Sequence, residues 1–334
     1  MRLPRASALG AALIAATLLV GTASAAQDSG RPIKLGLSAW PGWFPWYIAE
    51  EQGFFGQEGA NVQLVWFPVY SDSIQALSAG QLDANSQTLS DTLGPLAEGV
   101  PLSVVLVNDN SAGNDAVVAR AGIQSVADLK GKTVATELGA VDHFMLLMAL
   151  QRAGLSQNDI SFVNMSVNDA APASIAGRLD AVAVWQPFIS QIQRTGQGRV
   201  LFDSRELPGL IPDLLVARSD LLQQQPGQLQ VILRAWYRSL EFIQPSPDQA
   251  YAIMARHAET DLDDYRDFAG GTRLFSLADN LEAFTPADGD ASLVTAGRKI
   301  GDFLVSQQLI SSTPDLSLAL HSEFLPANTL AAAP

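Results

Sequence analysis

The sequence of 334 residues contains no cysteine. This absence excludes a disulfide framework, thiolate-bound zinc, an iron–sulfur cluster, a cysteine nucleophile and a lipid-anchored N-terminal cysteine. Positive charge is scarce as well, because 20 lysine and arginine residues stand against 34 aspartate and glutamate residues and leave a net charge of −14. Nucleic acids and anionic membrane surfaces are bound by basic faces, so we expect neither as a partner.

Catalytic signatures are missing too. The chain contains no G-x-S-x-G, Walker A, H-E-x-x-H or G-x-G-x-x-G motif. Of its 3 histidines, His143 follows Asp142 directly. Adjacent residues of a helix point about 100° apart, so we interpret His143 as a packed or capping residue. We expect no enzymatic activity, metal or cofactor, and a hydrolase that uses two scattered carboxylates is the catalytic alternative.

One short apolar run stands at the N-terminus, and no other window approaches the length of a membrane span. Arg2 and Arg5 precede it, it extends from Ala8 to Val20, and Ala23-Ser24-Ala25 fits the cleavage rule for secretory signals. The run is shorter than the ~20 residues that cross a bilayer, which disfavours a membrane anchor. We therefore predict a signal peptide over residues 1–25 and a mature chain that is soluble in the periplasm.

The next part of the chain alternates apolar, β-rich runs with helical patterns. Strands are predicted over Ile33–Leu37, Val62–Phe67 and Leu82–Ser86. Helices are predicted between them, over Trp43–Gln52 and Ser71–Ala79, and a glycine follows each helix. This alternation predicts a parallel sheet with right-handed crossovers.

The same order recurs further along the chain. Strands over Thr133–Thr136, Ile160–Met165 and Leu179–Val184 alternate with helices over Val141–Arg152 and Asp169–Ala176. The remaining predicted elements are strands over Leu102–Val107, Ala116–Ala119 and Ile211–Ala217, and helices over Pro226–Leu240, Pro247–His257 and Ser292–Gln307.

Two related hexapeptides indicate a duplicated architecture. AGQLDA at residues 79–84 and AGRLDA at residues 176–181 differ at one position and follow the second helix of each unit. We predict an α/β fold of two lobes, each a mainly parallel sheet flanked by helices, joined by two hinge strands. Such a hinged cleft closes on a small ligand. The predicted boundaries are 32–112 with 216–334 for lobe I, 118–207 for lobe II, and 112–118 and 208–215 for the hinge crossings.

Ligands of parallel sheets bind beyond the carboxyl ends of the strands, and the segments expected there contain no lysine or arginine. They carry many carboxylates and most of the 6 tryptophans. Carboxylates accept paired N–H bonds from guanidinium-like groups and indole faces attract cations, so a cation or a neutral polar amine is favoured over an anion. An anion at the N-terminus of the helix near Gly139 is the alternative. The segments are 38–46, 68–73, 85–92, 108–115, 136–143, 166–171 and 184–188.

Some carboxylates and tryptophans of these segments also have a structural explanation. Asp72 and Asp142 suit the capping of a first helical turn, Trp43 suits a core-facing helix, and Asp109 is interpreted as a turn residue. The ligand-binding candidates are Trp40, Trp43, Asp72, Asn85, Gln87, Asp91, Asn114, Asp115, Glu137, Asp142, Trp185 and Gln186.

Each kind of candidate has an expected role. Trp40 and Trp185 are expected to stack on the ligand, and Glu137 with either Asp72 or Asp91 is expected to accept its hydrogen bonds. The candidate amides, at positions 85, 87, 114 and 186, are expected as neutral hydrogen-bond partners.

Four stretches carry a resemblance to a known class of proteins. Ser38–Trp43, Ile48–Phe55, Ser125–Lys132 and Asp180–Pro187 resemble periplasmic substrate-binding proteins of the nitrate/sulfonate/taurine (NitT/TauT, SsuA/THI5-like) ABC-importer class, over about residues 33–240. The resemblance implies a two-lobed, type II binding protein that delivers its solute to a membrane permease and an ATPase. It also implies a small-molecule solute, and we expect a monomer.

A narrower resemblance concerns the solute. Asp72-Ser73, Asn85–Thr92, Asn108–Asp115 and Val141–His143 resemble the subgroup associated with urea-carboxylase-type operons, for which guanidine is the implied solute. The alternatives are an alkanesulfonate, taurine or nitrate anion bound by the same fold. The cysteine-rich motif of the class's pyrimidine-synthesising enzymes is absent, which disfavours that branch.

Overall fold

The computed structural model describes residues 30–326. The predicted signal peptide, residues 1–25, lies outside this range. No helix among the described residues is long and apolar enough to cross a membrane.

Strands and helices alternate along most of the described chain. The strands are β1 (Ile33–Leu37), β2 (Val62–Trp66), β3 (Ala84–Thr88), β4 (Leu102–Ser111), β5 (Asp115–Arg120), β6 (Thr133–Thr136), β7 (Ser161–Asn164), β8 (Ala181–Trp185), β9 (Gly198–Asp203), β10 (Pro212–Arg218) and β11 (Thr272–Leu274). The helices are α1 (Pro45–Glu51), α2 (Phe54–Glu58), α3 (Tyr70–Ser78), α4 (Leu89–Ala97), α5 (Val141–Arg152), α6 (Val167–Ile175), α7 (Phe188–Gln193), α8 (Ser219–Gln224), α9 (Pro226–Ile243), α10 (Pro247–His257), α11 (Leu262–Gly270), α12 (Leu277–Phe284) and α13 (Leu293–Ser306).

The strands form two sheets, with the orders β11-β4-β10-β3-β1-β2 and β7-β6-β8-β5-β9. In the first sheet β1 pairs in parallel with β2 and β3, and in the second β6 pairs in parallel with β7 and β8. Each sheet also contains an antiparallel strand: β10 lies between β3 and β4 in the first sheet, and β5 lies between β8 and β9 in the second. The predicted α/β fold with two sheets is therefore confirmed, and the two sheets repeat one arrangement.

The expectation of mainly parallel sheets was wrong. Both sheets are mixed, because β10 in the first sheet and β5 in the second are antiparallel to their neighbours. The chain reaches each of these strands directly from the other sheet, without the crossover helix that a parallel neighbour needs. The chain leaves the first sheet after Ser111 and joins the second at Asp115, and it returns between Asp203 and Pro212. The exact lobe boundaries stay a prediction, and β5 and β10 begin inside the ranges expected for the hinge crossings.

The repeated hexapeptide has the same structural role in both halves. Gly80 and Gly177 adopt left-handed conformations (φ +74° and +70°) that end α3 and α6. The aspartate that follows each glycine accepts a backbone N–H from the neighbouring strand: Asp83 from Lys34 at 2.9 Å, and Asp180 from Thr133 at 2.8 Å. Each copy therefore ends a helix and then fixes the chain to the start of the neighbouring strand, β1 in the first half and β6 in the second.

Two polar segments expected as loops are regular elements. β4 continues through Asn108–Ser111, and all its residues are buried. α4 begins at Leu89, inside the segment 85–92 that was expected to lie beyond β3. The prediction was wrong because polar residues usually indicate a loop, whereas these polar residues lie inside the protein, beside the gap between the two sheets.

Candidate functional site

A small cavity lies between the two sheets. Its walls come from the carboxyl ends of β1, β3 and β8, the N-termini of α3 and α5, and the first residues of β5 and β10. The space open to the centre of a water-sized sphere is about 10 Å³, which is close to the minimum that holds one water molecule. In this arrangement the cavity is therefore nearly filled by its own walls, and a solute larger than a water molecule requires the walls to move apart. The lining residues are Ser38, Ala39, Trp40, Trp43, Tyr70, Thr88, Asp115, Val141, Trp185, Ile211 and Asp213.

Two contacts bridge the gap between the two halves of the protein, which are the parts built around the first and the second sheet. The side-chain amide of Asn168, on α6, donates to the carbonyl oxygen of Pro68 at 2.9 Å. Arg194, after α7, forms an ion pair with Asp264 on α11. These two surface contacts join helices beside the second sheet to residues of the first half.

Four aromatic rings follow one another along the cavity. Trp40 precedes the short turn Pro41–Trp43 and Trp43 ends it, with ring centroids 6.5 Å apart. Tyr70 lies 5.6 Å from Trp43 and meets Trp185 edge to face at 5.7 Å and 84°. Because Tyr70 and Trp185 belong to different halves, this contact forms across the gap.

Two aspartates meet on neighbouring strands beside these rings. Asp109 of β4 and Asp213 of β10 are register partners and are both buried. The indole N–H of Trp40 donates to both oxygens of Asp109, at 3.1 and 3.2 Å. A Cβ atom at Gly42 would lie 1.9 Å from Asp109 Oδ2, so only glycine leaves room for this carboxyl. Asp109 had been interpreted as a turn residue, which was wrong, because β4 extends beyond it.

The carboxyl groups of this pair are driven towards their protonated forms. Burial raises the pKa of Asp109 above its usual range, and it raises the pKa of Asp213 further, with the charges of Asp109 and Asp115 adding to the effect. Neighbouring carboxyls disfavour each other's ionisation, so we expect this pair to hold one proton when no cation is bound.

Two further aspartates carry unpaired oxygens near the cavity. Asp115, the first residue of β5, and Asp91, in the first turn of α4, are both nearly fully buried. Burial raises the pKa of Asp115 to about 7 and that of Asp91 to about 6. The Oδ2 atom of each lacks a hydrogen-bond partner among the described residues. These oxygen atoms are therefore available to a hydrogen-bond donor of a ligand.

The N-terminus of α5 brings two more acidic groups. Asp142 is fully buried and accepts the backbone N–H of Glu137 at 2.9 Å, while its Oδ1 has no partner in the described structure. Burial raises the pKa of both carboxyls, and hydrogen bonding from Ser71 opposes this shift for Glu137. Neither residue lines the cavity, so a ligand contact for either stays a prediction.

No lysine, arginine or histidine is among the residues that line the cavity. The nearby His143 has both ring nitrogens engaged: Nδ1 accepts the N–H of Gly139 at 3.1 Å, and Nε2 lies 2.6 Å from Gln157 Oε1. It is thus a packed, capping side chain, as the sequence indicated.

Of the sequence candidates, Trp40, Trp43, Asp115 and Trp185 meet at the cavity. Asp91 lies close enough to raise the pKa of Asp115. Ligand contacts for these residues remain predictions, but the structure brings the side chains together.

Other candidates have different partners. The amide of Asn85 donates to Ser73 Oγ and to Gln87 Oε1, both at 3.0 Å, in a buried network inside the first half. Asn114 donates to the carbonyl oxygen of Phe268 at 2.6 Å and to Thr272 Oγ1 at 2.7 Å, which anchors the first crossing.

Two candidates lie at helix starts. Gln186 Oε1 accepts the N–H of Ser190 in the first turn of α7 at 3.2 Å. Asp72 is exposed on α3. Neither lines the cavity, so a ligand role for either stays a prediction.

Sequence reasoning missed Tyr70 and Asp213. Asp213 is the one charged residue in the apolar run Ile211–Ala217, and a lone carboxylate within a buried strand is a signal that could have found it. Tyr70, the first residue of α3, carries no comparable signal in the sequence.

Similarity to known proteins agrees with this architecture. The model of the NMT1/THI5-like family matches residues 40–250. The chain belongs to this family. A binding protein of Brucella abortus is 28% identical over 220 residues, which is 64% of this chain and 67% of the relative. An Escherichia coli member named an aliphatic sulfonates-binding protein is 27% identical over 248 residues, 73% of this chain and 77% of that one.

Solved structures share the fold of this NMT1/THI5-like chain. The alkanesulfonate-binding protein SsuA of Xanthomonas axonopodis, bound to MOPS, superposes with a TM-score of 0.72 at 19% identity, covering 88% of this chain and 99% of that one. An enzyme, the desulfurization enzyme DSZB, also superposes, with a TM-score of 0.65 at 17% identity, covering 89% and 98%. Most of the similar proteins are binding proteins, which supports a solute-binding role.

Proposed function

We propose that the chain is the solute-binding component of an ABC importer and that its solute is a small cation with several N–H donors, of the guanidinium type. The observation that carries the proposal is a closed cavity with unpaired, buried carboxylate oxygens, aromatic walls and no basic side chain in its lining. The role is binding and not catalysis.

Electrostatics favours such a cation. A buried carboxylate without a positive partner is costly, and a bound cation restores the interaction that burial removed. A planar guanidinium presents paired N–H groups to carboxylate oxygens such as those of Asp115 and Asp213. The faces of Trp40 and Trp185 add a cation–π attraction of about 0.5–2 kcal/mol.

The relatives support a second candidate solute, a small sulfonate. The Escherichia coli and Xanthomonas axonopodis proteins are named for binding sulfonates, and this chain shares their fold. An anion fits the cavity if Asp115 and the Asp109–Asp213 pair are protonated and donate hydrogen bonds. The two solutes therefore predict opposite pH dependences: cation affinity rises as the carboxyls ionise, and sulfonate affinity falls.

Calorimetric titration with guanidinium, taurine, methanesulfonate and nitrate at pH 6 and pH 8 tests the proposal. We expect guanidinium to bind, and to bind more tightly at pH 8. Asp115→Asn should weaken it at least tenfold, because a hydrogen bond to a charged group is worth about 1.5–3 kcal/mol. Asp267→Asn, which removes an exposed carboxylate on α11, is the control and should bind as the wild type does. Tight binding of a sulfonate without binding of guanidinium would overturn the cation proposal.

Transport requires partners and a location. The permease, the ATPase and the periplasmic location follow from the proposed importer role, and two neighbours in fold are titled components of ABC transport systems. Co-purification of the chain with a permease encoded beside it, dependent on solute, would test this part. A monomeric state stays an expectation, which gel filtration tests.

A further inference from the structure

The cavity lining holds unpaired donors as well as unpaired acceptors. Trp43 and Trp185 both line it, and the indole N–H of each is buried without an acceptor among the described residues. Asp115 Oδ2 and Asp213 Oδ2, from the same lining, receive no N–H or O–H donor. Ser38 adds a buried hydroxyl that lacks a partner. The cavity lining therefore contains both hydrogen-bond donors and hydrogen-bond acceptors that lack a partner.

A guanidinium ion can form hydrogen bonds with the acceptors of this lining but not with its donors. It has N–H donors on all sides and no acceptor, so it pairs with the carboxylates and leaves the two indole N–H groups without a partner. A buried donor that stays unsatisfied costs the complex affinity. A solute that also carries an oxygen acceptor removes this cost.

An unpaired indole N–H alone does not indicate a ligand. Trp236 Nε1 is also buried and unpaired, yet Trp236 lies in the core against Trp46, with ring centroids 4.5 Å apart. Trp43 and Trp185 differ from it because both border a cavity whose lining also includes the unpaired oxygens of Asp115 and Asp213. They lie on either side of Tyr70, at 5.6 and 5.7 Å, and belong to different halves.

We infer that the solute is a small planar cation that carries a hydrogen-bond acceptor oxygen beside its N–H donors, a compound of the ureido-guanidine class. This inference deepens the proposed function and rests on it. Its donors pair with Asp115 and Asp213, and its oxygen accepts from Trp43 or Trp185 as the halves close. The two tryptophans are then specificity-determining residues, which distinguish the solute from plain guanidinium.

Paired titrations test the inference. The probes are guanidinium, hydroxyguanidinium, which is one oxygen larger, and guanylurea, which carries a carbonyl. We expect at least one oxygen-bearing cation to bind at least fivefold more tightly than guanidinium to the wild type. Trp43→Phe or Trp185→Phe keeps an aromatic face but removes the N–H, and should bring this ratio close to one. Trp236→Phe removes an unpaired indole N–H outside the cavity, and should leave the ratio unchanged.

The outcomes separate the inference from the proposed function. If guanidinium binds and neither tryptophan variant changes the ratio by more than twofold, the inference is wrong and the cation proposal stands. It is equally wrong if guanidinium binds and neither oxygen-bearing cation does. If no cation binds and a sulfonate does, both are wrong. Should the variants fail to fold, a wild-type crystal structure with guanylurea decides: its oxygen is expected within hydrogen-bond distance of an indole nitrogen, and a position remote from both overturns the inference.

Discussion

Replacing Asp115 with asparagine should make the empty protein more stable and the binding of a cation weaker. Asp115 is 2% exposed, lines the cavity and has an oxygen without a partner. Burial raises the pKa of its carboxyl from 3.8 to about 7. Asparagine keeps the shape of the side chain and removes the charge.

The magnitude follows from the pKa of Asp115. The folded state keeps this proton up to about pH 7, whereas the unfolded chain loses it near pH 3.8, so stability falls as pH rises through that window. At about 1.36 kcal/mol per pH unit, the ionised carboxyl costs the empty fold at most about 4 kcal/mol above pH 7. The amide adds a buried N–H group that lacks a partner, which costs about 1–3 kcal/mol. We expect a net stabilisation of about 1–3 kcal/mol at pH 8 and no stabilisation at pH 4, where the wild-type carboxyl is protonated and only the cost of the amide remains.

Thermal unfolding of the ligand-free protein at pH 4, 6 and 8 measures this effect. Asp115→Asn should flatten the loss of stability between pH 4 and pH 8. Asp83→Asn is a control of opposite sign, because hydrogen bonds from Arg31 and from the Lys34 N–H hold the pKa of Asp83 below its usual range. Its contribution is present above pH 3.8 and is lost as pH falls, so this variant should be weakest, relative to the wild type, at pH 8. An Asp115→Asn protein that loses as much stability as the wild type between pH 4 and pH 8 refutes the reasoning.

Three further predictions concern the walls of the cavity. Gly42→Ala places a Cβ atom 1.9 Å from Asp109 Oδ2 and should lower the melting temperature and solute affinity together, whereas Gly56→Ala, which meets nothing within 4 Å, should do neither. Asn114→Ala removes two hydrogen bonds at the first crossing and should cost about 1–3 kcal/mol in chemical denaturation; an unchanged midpoint argues against an anchoring role. At saturating concentration, guanidinium should raise the melting temperature more at pH 8 than at pH 5, and an equal shift at both pH values contradicts ionised carboxylates as its partners.

The elements with strong local signals could be predicted from the sequence. Val141–Arg152 and Thr133–Thr136 match α5 and β6 at both ends, because glycines and apolar periodicity mark their limits. α4 was missed because it carries Pro95 and starts from polar residues. The antiparallel strands β5 and β10 were found, but their direction depends on the path between the halves and not on local pattern.

The site was predicted in part for a related reason. Three of the segments expected beyond the strands contain Trp40, Asp115 and Trp185, which line the cavity, although parts of segments 85–92 and 108–115 are strand or helix. The sequence does not show which side of the sheet each strand residue faces. Successive residues of β3 face opposite sides, so Thr88 lines the cavity and Gln87 belongs to an internal hydrogen-bond network. Choosing between neighbouring polar residues requires knowing which face of each sheet meets the gap.

The acidic cavity also explains how a protein tolerates so many buried carboxyls. A single cation cannot neutralise Asp91, Asp109, Asp115 and Asp213 together, so some of them must stay protonated. The Asp109–Asp213 pair is expected to share a proton and therefore to contribute one negative charge where two would stand. When a cation enters, it lowers the pKa of the carboxyls that it touches, and the site releases protons in proportion. Under the proposed function, binding therefore exchanges protons for a larger cation, which supplies the positive charge that the residues lining the cavity do not provide.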